Sequence, residues 1–155
     1  MAIKVIVKFI NPRRNEGLAM QAQNQVPMRG KIYLANAFSI SMLIPILKQV
    51  KATNVRFELI SAETAKLFLM HGFTSAVGYQ TTASALSKIL GIDVPVNRAT
   101  IQLQPEDVLI VFQIDVGRLQ PGRELSEQEI INAYSEGRAF FVLVYSPETV
   151  EPPRE

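Results

Sequence analysis

Residues 31–40 read Lys-Ile-Tyr-Leu-Ala-Asn-Ala-Phe-Ser-Ile, and the fold of the chain can be inferred outward from them. The first five residues are mostly apolar and predict a strand. The strand ends at the polar Asn36. Residues 38–50 then carry apolar side chains at helical spacing, with Pro45 expected to break or restart the helix. The stretch therefore predicts a strand that leads directly into a helical segment.

Apolar patterns predict further strands along the rest of the chain. Residues 3–9 and 55–60 alternate apolar and polar residues and predict strands. Residues 99–103 and 108–114 are also predicted to be strands, and the strongly apolar residues 140–145 predict a final strand in the centre of the sheet. Residues 104–107 predict a hairpin-like turn between two of these strands.

Helix start signals separate several of the strands. Ser61 can cap one helix, and either Thr81 or Thr82 can cap the next. Ser126 and Glu129 have the spacing of a capping box that opens a third helix. The order of elements predicts an α/β (α+β) fold, a single domain with a mixed five- to six-stranded sheet flanked by helices.

The composition excludes several classes of site. The chain has 155 residues, of which 48% are hydrophobic, so it is long and apolar enough to bury a core. It contains no cysteine, which excludes disulfides, thiolate zinc sites and a cysteine nucleophile. Its single histidine, His71, excludes a histidine-rich metal site. We therefore expect neither a metal nor a cofactor.

Charge and hydropathy indicate the kind of partner. The net charge of +2 is far below the density of lysine and arginine that drives binding to duplex nucleic acid, but it is compatible with a small anionic ligand. No apolar stretch is long enough to span a membrane, and the amino terminus lacks the pattern of a signal peptide. We expect a cytoplasmic protein without a membrane partner.

Polar side chains at the ends of predicted elements are the candidate binding groups. Asn36 and Ser39 lie where a strand meets a helix, so the serine hydroxyl and nearby backbone N–H groups could hold a phosphate or could simply cap the helix. Residues 78–82 allow the same two interpretations. Arg98 and Arg118 lie next to strands or in loops, where arginines are usually solvated. Walker, paired-histidine and nucleophile-elbow motifs are absent, so these residues alone do not identify a function.

Taken together, these segments resemble the viral type III anti-CRISPR ring nuclease family. The resemblance covers about 115 residues, from Lys31 to Tyr145, and the strand followed by Leu-Ala-Asn-Ala-Phe-Ser is its most specific part. The supporting blocks are residues 77–82, 97–98 and 111–114, Arg118-Leu119, Gly122, residues 125–137 and the last strand.

The resemblance implies a homodimer with a mixed sheet that binds a cyclic oligoadenylate, with cyclic tetra-adenylate as the expected ring, in a two-fold cleft. Family members cut the ring without metal, because each 2′-hydroxyl attacks the adjacent phosphate and leaves a 2′,3′-cyclic phosphate. This activity switches off type III CRISPR signalling. The implied catalytic residues are Tyr79, Arg118 and Ser39, and the implied ligand-binding residues are Asn36, Ala37, Phe38, Gln80, Thr81, Arg98 and Gln113.

The chain departs from the family pattern at the position that matters most for cleavage. Tyr79 stands where the family has its catalytic histidine, the expected proton donor to the leaving 5′-oxygen. A phenol is a weaker general acid than an imidazolium at neutral pH, and general acid catalysis is typically worth about 10²–10⁴-fold. Pro121 replaces a glutamate, and one extra residue separates Gln113 from Arg118. His71 could swing in as a substitute acid. The alternative function is a non-catalytic cyclic oligoadenylate-binding protein, a sponge or sensor.

Three segments are expected. Residues 1–30 form an N-terminal extension of a strand and a loop, residues 31–146 form the ring-nuclease-like domain, and residues 147–155 form a flexible C-terminal tail, since they are rich in proline and charge.

Overall fold

The computed structural model describes residues 29–117 and 122–150, so the predicted strand at residues 3–9 lies outside the described residues. Five strands and four α-helices follow one another along the chain, together with one short 3₁₀ helix. In chain order they are β1 (Ile32–Ala35), the 3₁₀ helix (Ile40–Leu43), α1 (Ile44–Val50), β2 (Arg56–Ile60), α2 (Ala62–Leu69), β3 (Thr74–Ala76), α3 (Gln80–Leu90), β4 (Val108–Ile114), α4 (Glu127–Ser135) and β5 (Ala139–Tyr145).

The five strands form one mixed sheet in the order β2-β5-β4-β1-β3. β1 is parallel to both β3 and β4, whereas β5 is antiparallel to β4 and β2. This confirms the predicted single-domain fold with a mixed sheet. β5, predicted in the centre, lies inside the sheet between β2 and β4. Because β3, β1 and β4 are parallel neighbours, their carboxyl ends meet at one edge of the molecule.

The sheet has a core on each side, as the alternation along β4 makes clear. Ile110 and Phe112 face one core, which α2, α3 and α4 cover; we call this side the helix face. Leu109 and Val111 face a second core, covered by the 3₁₀ helix and α1 through residues such as Leu43; we call this side the opposite face. β4, buried on both sides, therefore has the continuous apolar sequence of an interior strand.

Two predicted helix starts are confirmed in detail. Ser61 accepts a hydrogen bond from the backbone N–H of Thr64 at 3.0 Å. At the start of α4, Ser126 Oγ accepts from the Glu129 N–H at 3.1 Å, and Glu129 Oε1 accepts from the Ser126 N–H at 2.9 Å, which completes the capping box. Pro45 lies in the first turn of α1, so it restarts the helix after the 3₁₀ turn, as predicted.

The predicted strand at residues 99–103 is wrong. These residues make no strand in the described part of the chain, although Ile101 and Leu103 are buried in the opposite-face core. The Leu103 N–H donates to the Met42 carbonyl at 2.8 Å, so this segment packs on the 3₁₀ helix instead of pairing in the sheet. Residues 104–107 do form a turn. It does not join a hairpin, because β4 follows it but no strand comes directly before it.

Two further features of the sheet were not predicted. Thr74–Ala76 is a strand of three small residues, too short and too polar for its pattern to be recognised. Its outer edge is covered by the segment that leads to Arg98: the Asn97 N–H donates to the Val77 carbonyl at 2.8 Å, and Asn97 Nδ2 donates to the Ser75 carbonyl at 2.6 Å.

The packed structure continues four residues into the predicted tail. Residues 147–149 form a turn, and Val150 is buried against the helix-face core. Residues 151–155 lie outside the described residues. Across residues 29–117 and 122–150, no helix has the length and hydropathy needed to cross a membrane.

Candidate functional site

The carboxyl ends of β1 and β3 are joined by a side chain. The two strands are paired in register from Tyr33 with Thr74 to Ala35 with Ala76, so the residues that follow them leave the sheet side by side. Asn36 Oδ1 accepts a hydrogen bond from the Gly78 N–H at 3.1 Å. Asn36 therefore fixes the loop after β3, a role that sequence analysis did not assign to it.

Arg98 holds the same loop from the other side. Its Nε donates to the Gly78 carbonyl at 3.0 Å, and its guanidinium carbon lies 5.5 Å from the centre of the Tyr79 ring. A methyl group on Gly78 would lie 3.3 Å from Arg98 Cγ, so the two residues are tightly packed. We call Asn36, Gly78, Tyr79 and Arg98 the Gly78 cluster.

Tyr79 is the residue from which α3 begins. It has an extended backbone (φ −124°, ψ 132°), and its carbonyl accepts the first helical hydrogen bond, from the Ala83 N–H at 2.9 Å. Its side chain is 49% exposed and makes no capping hydrogen bond to the described residues. The prediction that Thr81 or Thr82 caps this helix is therefore wrong, because Tyr79 is the residue at the cap position. The Tyr79 side chain accepts no hydrogen bond from the backbone N–H groups of the first turn. A helix start of this kind attracts anions.

A cavity of about 280 Å³ lies beside Tyr79 on the helix face. Ile114, Leu125 and Ile130 form its apolar wall, and Thr81 contributes to its rim. Its other lining residues are Thr82, Arg123 and Glu124. Gln80, although predicted to bind ligand, donates from Nε2 to Ser84 Oγ at 3.1 Å and so lies along α3.

The rim of this cavity also contains an ion pair. Arg123 Nη2 lies 2.5 Å from Glu129 Oε2. The hydrogen bond from the Ser126 backbone, followed by the Arg123 side chain, holds the pKa of Glu129 below its usual range. Glu129 thus remains ionised and anchors both the helix start and Arg123.

Ser39 and Gln113 lie on the opposite face of the sheet. Ser39 Oγ accepts from the Ser41 N–H at 3.3 Å and caps the 3₁₀ helix, so the capping interpretation is correct for this residue. Gln113 is exposed, and its Nε2 donates to the Ile114 carbonyl at 3.2 Å. Phe38 packs edge to face on Phe57 with 5.4 Å between ring centres. Ala37 is exposed between Asn36 and Phe38.

The structure thus groups some of the predicted residues and separates others. Three of them meet at the carboxyl ends of β1 and β3: Asn36, Tyr79 and Arg98. Ser39 and Gln113 lie on the opposite face of the sheet, whereas Thr81 lies on the helix face. Arg118 lies outside the described residues.

His71 lies at the other end of the sheet. It lines a separate cavity of about 450 Å³ with Lys31 and Thr74, at the amino ends of β1 and β3. Tyr79 follows the carboxyl end of β3, so the length of that strand separates the two side chains, roughly 10 Å at about 3.3 Å per residue. This position does not favour His71 as a substitute acid, and that role stays a prediction.

Sequence analysis did not identify Gly78 as the centre of the site. The available signal was that both Asn36 and Gly78 follow strands, and parallel neighbouring strands bring such residues together. No group of three or more acidic, histidine or cysteine residues within residues 29–117 and 122–150 is arranged to hold a metal ion.

Comparison with known proteins places the chain in a family of viral proteins. A family model described as STIV B116-like matches residues 32–136, which include β1 to β4 and all four α-helices. The uncharacterised protein ORF117 of Acidianus two-tailed virus is 32% identical over 105 residues, covering 66% of this chain and 84% of ORF117. The structure of B116 from Sulfolobus turreted icosahedral virus superposes with a TM-score of 0.57 at 28% identity, covering 75% of this chain and 99% of B116. The chain belongs to the STIV B116-like family, whose members include these archaeal virus proteins.

Proposed function

We propose that the protein binds a cyclic oligoadenylate, with cyclic tetra-adenylate as the preferred ring, and degrades it without metal. The observation that supports this best is the Gly78 cluster at the carboxyl ends of parallel strands. It holds a guanidinium and a phenol 5.5 Å apart, beside a helix start whose N–H groups suit an anion. Ligands of α/β sheets bind at this kind of edge.

The phosphates of the ring are the groups that this region can recognise. Arg98 uses its Nε on the Gly78 carbonyl, while its terminal nitrogens make no hydrogen bond to the described residues and can pair with phosphate oxygens. The first turn of α3 adds backbone donors. The cavity beside Tyr79, about 280 Å³, is smaller than the usual ligand pocket of about 300–1,000 Å³, so one protomer would enclose only part of a ring.

The proposed reaction exchanges one bond to phosphorus for another. The 2′-hydroxyl oxygen of one nucleotide bonds to the adjacent phosphorus and loses its proton to solvent water, and the bond from phosphorus to the 5′-oxygen breaks. The phenol of Tyr79 donates a proton to that 5′-oxygen, and Arg118, which lies outside the described residues, stabilises the charge on the phosphorane. Orientation of the tethered hydroxyl can contribute several kcal/mol, which reduces the demand on the acid.

A homodimer fits the distribution of the implied ligand-binding residues. Ser39 and Gln113 lie on the opposite face, and Tyr79 and Thr81 lie at the edge and on the helix face. A two-fold dimer presents each of these residues twice to one ring. The ligand is an intracellular signal of type III CRISPR defence, so the proposal places the protein in the cytoplasm of the host cell, where cleavage would switch the signal off.

The position of His71 favours a second candidate function, a sponge or sensor that binds the ring without cutting it. The chain has one histidine, and it lies at the far end of β3 from the Gly78 cluster. Without an imidazole at the site, binding would survive while turnover would be slower by about 10²–10⁴-fold.

The test is incubation of the purified protein with cyclic tri-, tetra- and hexa-adenylate in EDTA, with products separated by chromatography. Tyr79→Phe keeps the ring that Arg98 contacts but removes the hydroxyl, Arg118→Ala removes the proposed stabilising charge, and His71→Gln is the matched control at the other end of the sheet. Multiple turnovers that are lost in Arg118→Ala and kept in His71→Gln would support a nuclease. Bound but intact ring would support the sponge. No binding of any ring would refute both.

A further inference from the structure

A cavity of about 680 Å³ lies at the amino ends of β1 and β4. Its volume is within the usual range of ligand pockets, about 300–1,000 Å³, and exceeds that of the cavity beside Tyr79. Its walls come from the start of β1, from the segment and turn that precede β4, and from the turn that follows β5. We call it the Tyr33 cavity, after the aromatic residue that lines it.

The Tyr33 cavity is on the opposite face of the sheet and at the far end of β1 from the Gly78 cluster. Tyr33 is paired with Leu109, which belongs to the opposite-face core, so both side chains point to that side. The Lys31 carbonyl accepts from the Val108 N–H at 2.9 Å, which extends the pairing to Lys31 and places it on the same side as Tyr33. The four residues of β1 separate the two regions by roughly 13 Å at about 3.3 Å per residue.

Backbone and charged groups hold the walls of this cavity together. The buried Asp107 carboxylate accepts from the Lys31 N–H and from the Gln104 N–H, both at 2.8 Å. Arg29 Nη1 lies 3.3 Å from Glu106 Oε2 and pairs with it. The start of β1 and the turn before β4 are therefore fixed to each other, and both carboxylates at the cavity already have partners.

The remaining polar groups of the cavity are available to a ligand. Four of them make no side-chain hydrogen bond or ion pair within residues 29–117 and 122–150: the Lys31 ammonium, the Tyr33 hydroxyl and the amides of Gln102 and Gln104. Burial, followed by the charge of Asp107, raises the pKa of Tyr33, so its hydroxyl keeps its proton and can donate. The cavity thus combines a cation, an aromatic ring and two amides that both donate and accept.

We propose that the Tyr33 cavity binds an adenine nucleotide. A glutamine amide can donate to N7 of adenine and accept from its N6 amino group at the same time, whereas guanine presents an oxygen acceptor in place of that amino group. The half-buried Tyr33 ring provides a surface on which a base can stack. Lys31 can pair with the phosphate. The inference does not depend on the proposed function, because it uses no residue of the Gly78 cluster.

The test is a titration of the ¹⁵N-labelled full chain with AMP, GMP and inorganic phosphate, followed by NMR. AMP is expected to shift the backbone signals of Lys31 and Tyr33 and the side-chain amide signals of Gln102 and Gln104, and the shifts should saturate. GMP and inorganic phosphate should bind at least about tenfold more weakly, because each lacks part of what the cavity recognises.

Two variants remove single groups from exposed positions and should therefore leave the fold intact. Lys31→Gln removes the charge and Gln102→Leu removes an amide, and each should raise the Kd for AMP by about tenfold. The matched controls are Lys48→Gln and Gln49→Leu, which make the same changes at exposed positions of α1 outside the cavity and should leave the Kd unchanged.

The outcomes distinguish this inference from its alternatives. Absence of saturable shifts, or shifts confined to the Gly78 cluster, would overturn it. Inorganic phosphate that binds as tightly as AMP would reduce the cavity to an anion site, and equally tight GMP would refute recognition of adenine. A linear di-adenylate is titrated separately; whichever of it and AMP binds more tightly identifies a product of ring cleavage or a free nucleotide as the ligand, and either supports the inference. AMP binding without any ring cleavage or ring binding would refute the proposed function alone.

Discussion

Replacing Gly78 by alanine should separate the geometry of the candidate site from the stability of the fold. The added methyl group would lie 3.3 Å from Arg98 Cγ and 3.9 Å from Arg98 Nε, so the arginine side chain must move. Gly78 does not have a positive φ, and alanine is therefore compatible with its backbone. The substitution consequently tests the contact with Arg98 and not the conformation of the loop.

Two opposing effects on stability are expected to nearly cancel. Alanine restricts the unfolded chain and stabilises the protein by about 0.4–1 kcal/mol. Displacement of Arg98 weakens an exposed hydrogen bond from a charged group to the Gly78 carbonyl, which costs about 1 kcal/mol after solvent screening. The free energy of unfolding, measured with urea and circular dichroism, should therefore change by less than about 1 kcal/mol.

Affinity for the ring should change much more than stability. If Arg98 both positions the Tyr79 ring and binds phosphate, its displacement should raise the Kd for cyclic tetra-adenylate by about tenfold or more, which corresponds to about 1.4 kcal/mol. Titration calorimetry measures this, with Arg98→Lys as the comparison that keeps the charge and loses the planar donor group. Unchanged affinity in Gly78→Ala, combined with lost affinity in Arg98→Lys, would refute the view that the contact with Gly78 sets the position of the arginine.

Three further predictions concern the rest of the fold. Ser126→Ala should lower the free energy of unfolding by about 1 kcal/mol through loss of the cap, whereas Ser135→Ala, within the same helix, should change it little; equal effects would contradict the capping role. The pKa of Glu129 is lowered in the folded state, so its contribution is present above the unfolded value and is lost as the pH falls below about 4.5 towards the folded value. Glu129→Gln should therefore flatten the acid side of the stability profile measured by urea unfolding, and an unchanged profile would contradict this. His71→Gln should leave ring binding and turnover unchanged in the chromatographic assay; a loss of either would require His71 to act far from its place in the fold.

Helix starts that depend on local side chains could be predicted from the sequence, and one that depends on tertiary contacts could not. The capping box of α4 needs only Ser126 and Glu129, which are three residues apart. The start of α3 is set by Asn36 and Arg98, which hold Gly78 from distant parts of the chain. The hydroxyls of Thr81 and Thr82 therefore predicted the wrong helix start. The neighbouring residues in the sequence do not show that contacts from distant parts of the chain fix the residue at which the helix begins.

Alternation predicts burial more securely than it predicts strand pairing. Ile101 and Leu103 alternate and are buried, yet their segment packs on the 3₁₀ helix through the Met42 carbonyl. In the candidate site, the juxtaposition of Asn36 with residues 78–79 follows from parallel strands. Ser39 and Thr81 lie on different sides of the sheet because the segment after β1 crosses to one face and the segment after β3 crosses to the other. The spacing of residues in the sequence does not indicate which face a connecting segment takes.

The segment that covers the outer edge of β3 limits how the protein can aggregate. Asn97 occupies hydrogen-bonding groups of Ser75 and Val77 there, so within the described residues strand addition is possible only beyond β2. A sheet with two open edges can propagate from molecule to molecule as a fibril, whereas a sheet with one open edge is complete once two molecules have joined. Strand addition to the described sheet therefore ends at a pair of molecules, because Asn97 occupies the edge at β3.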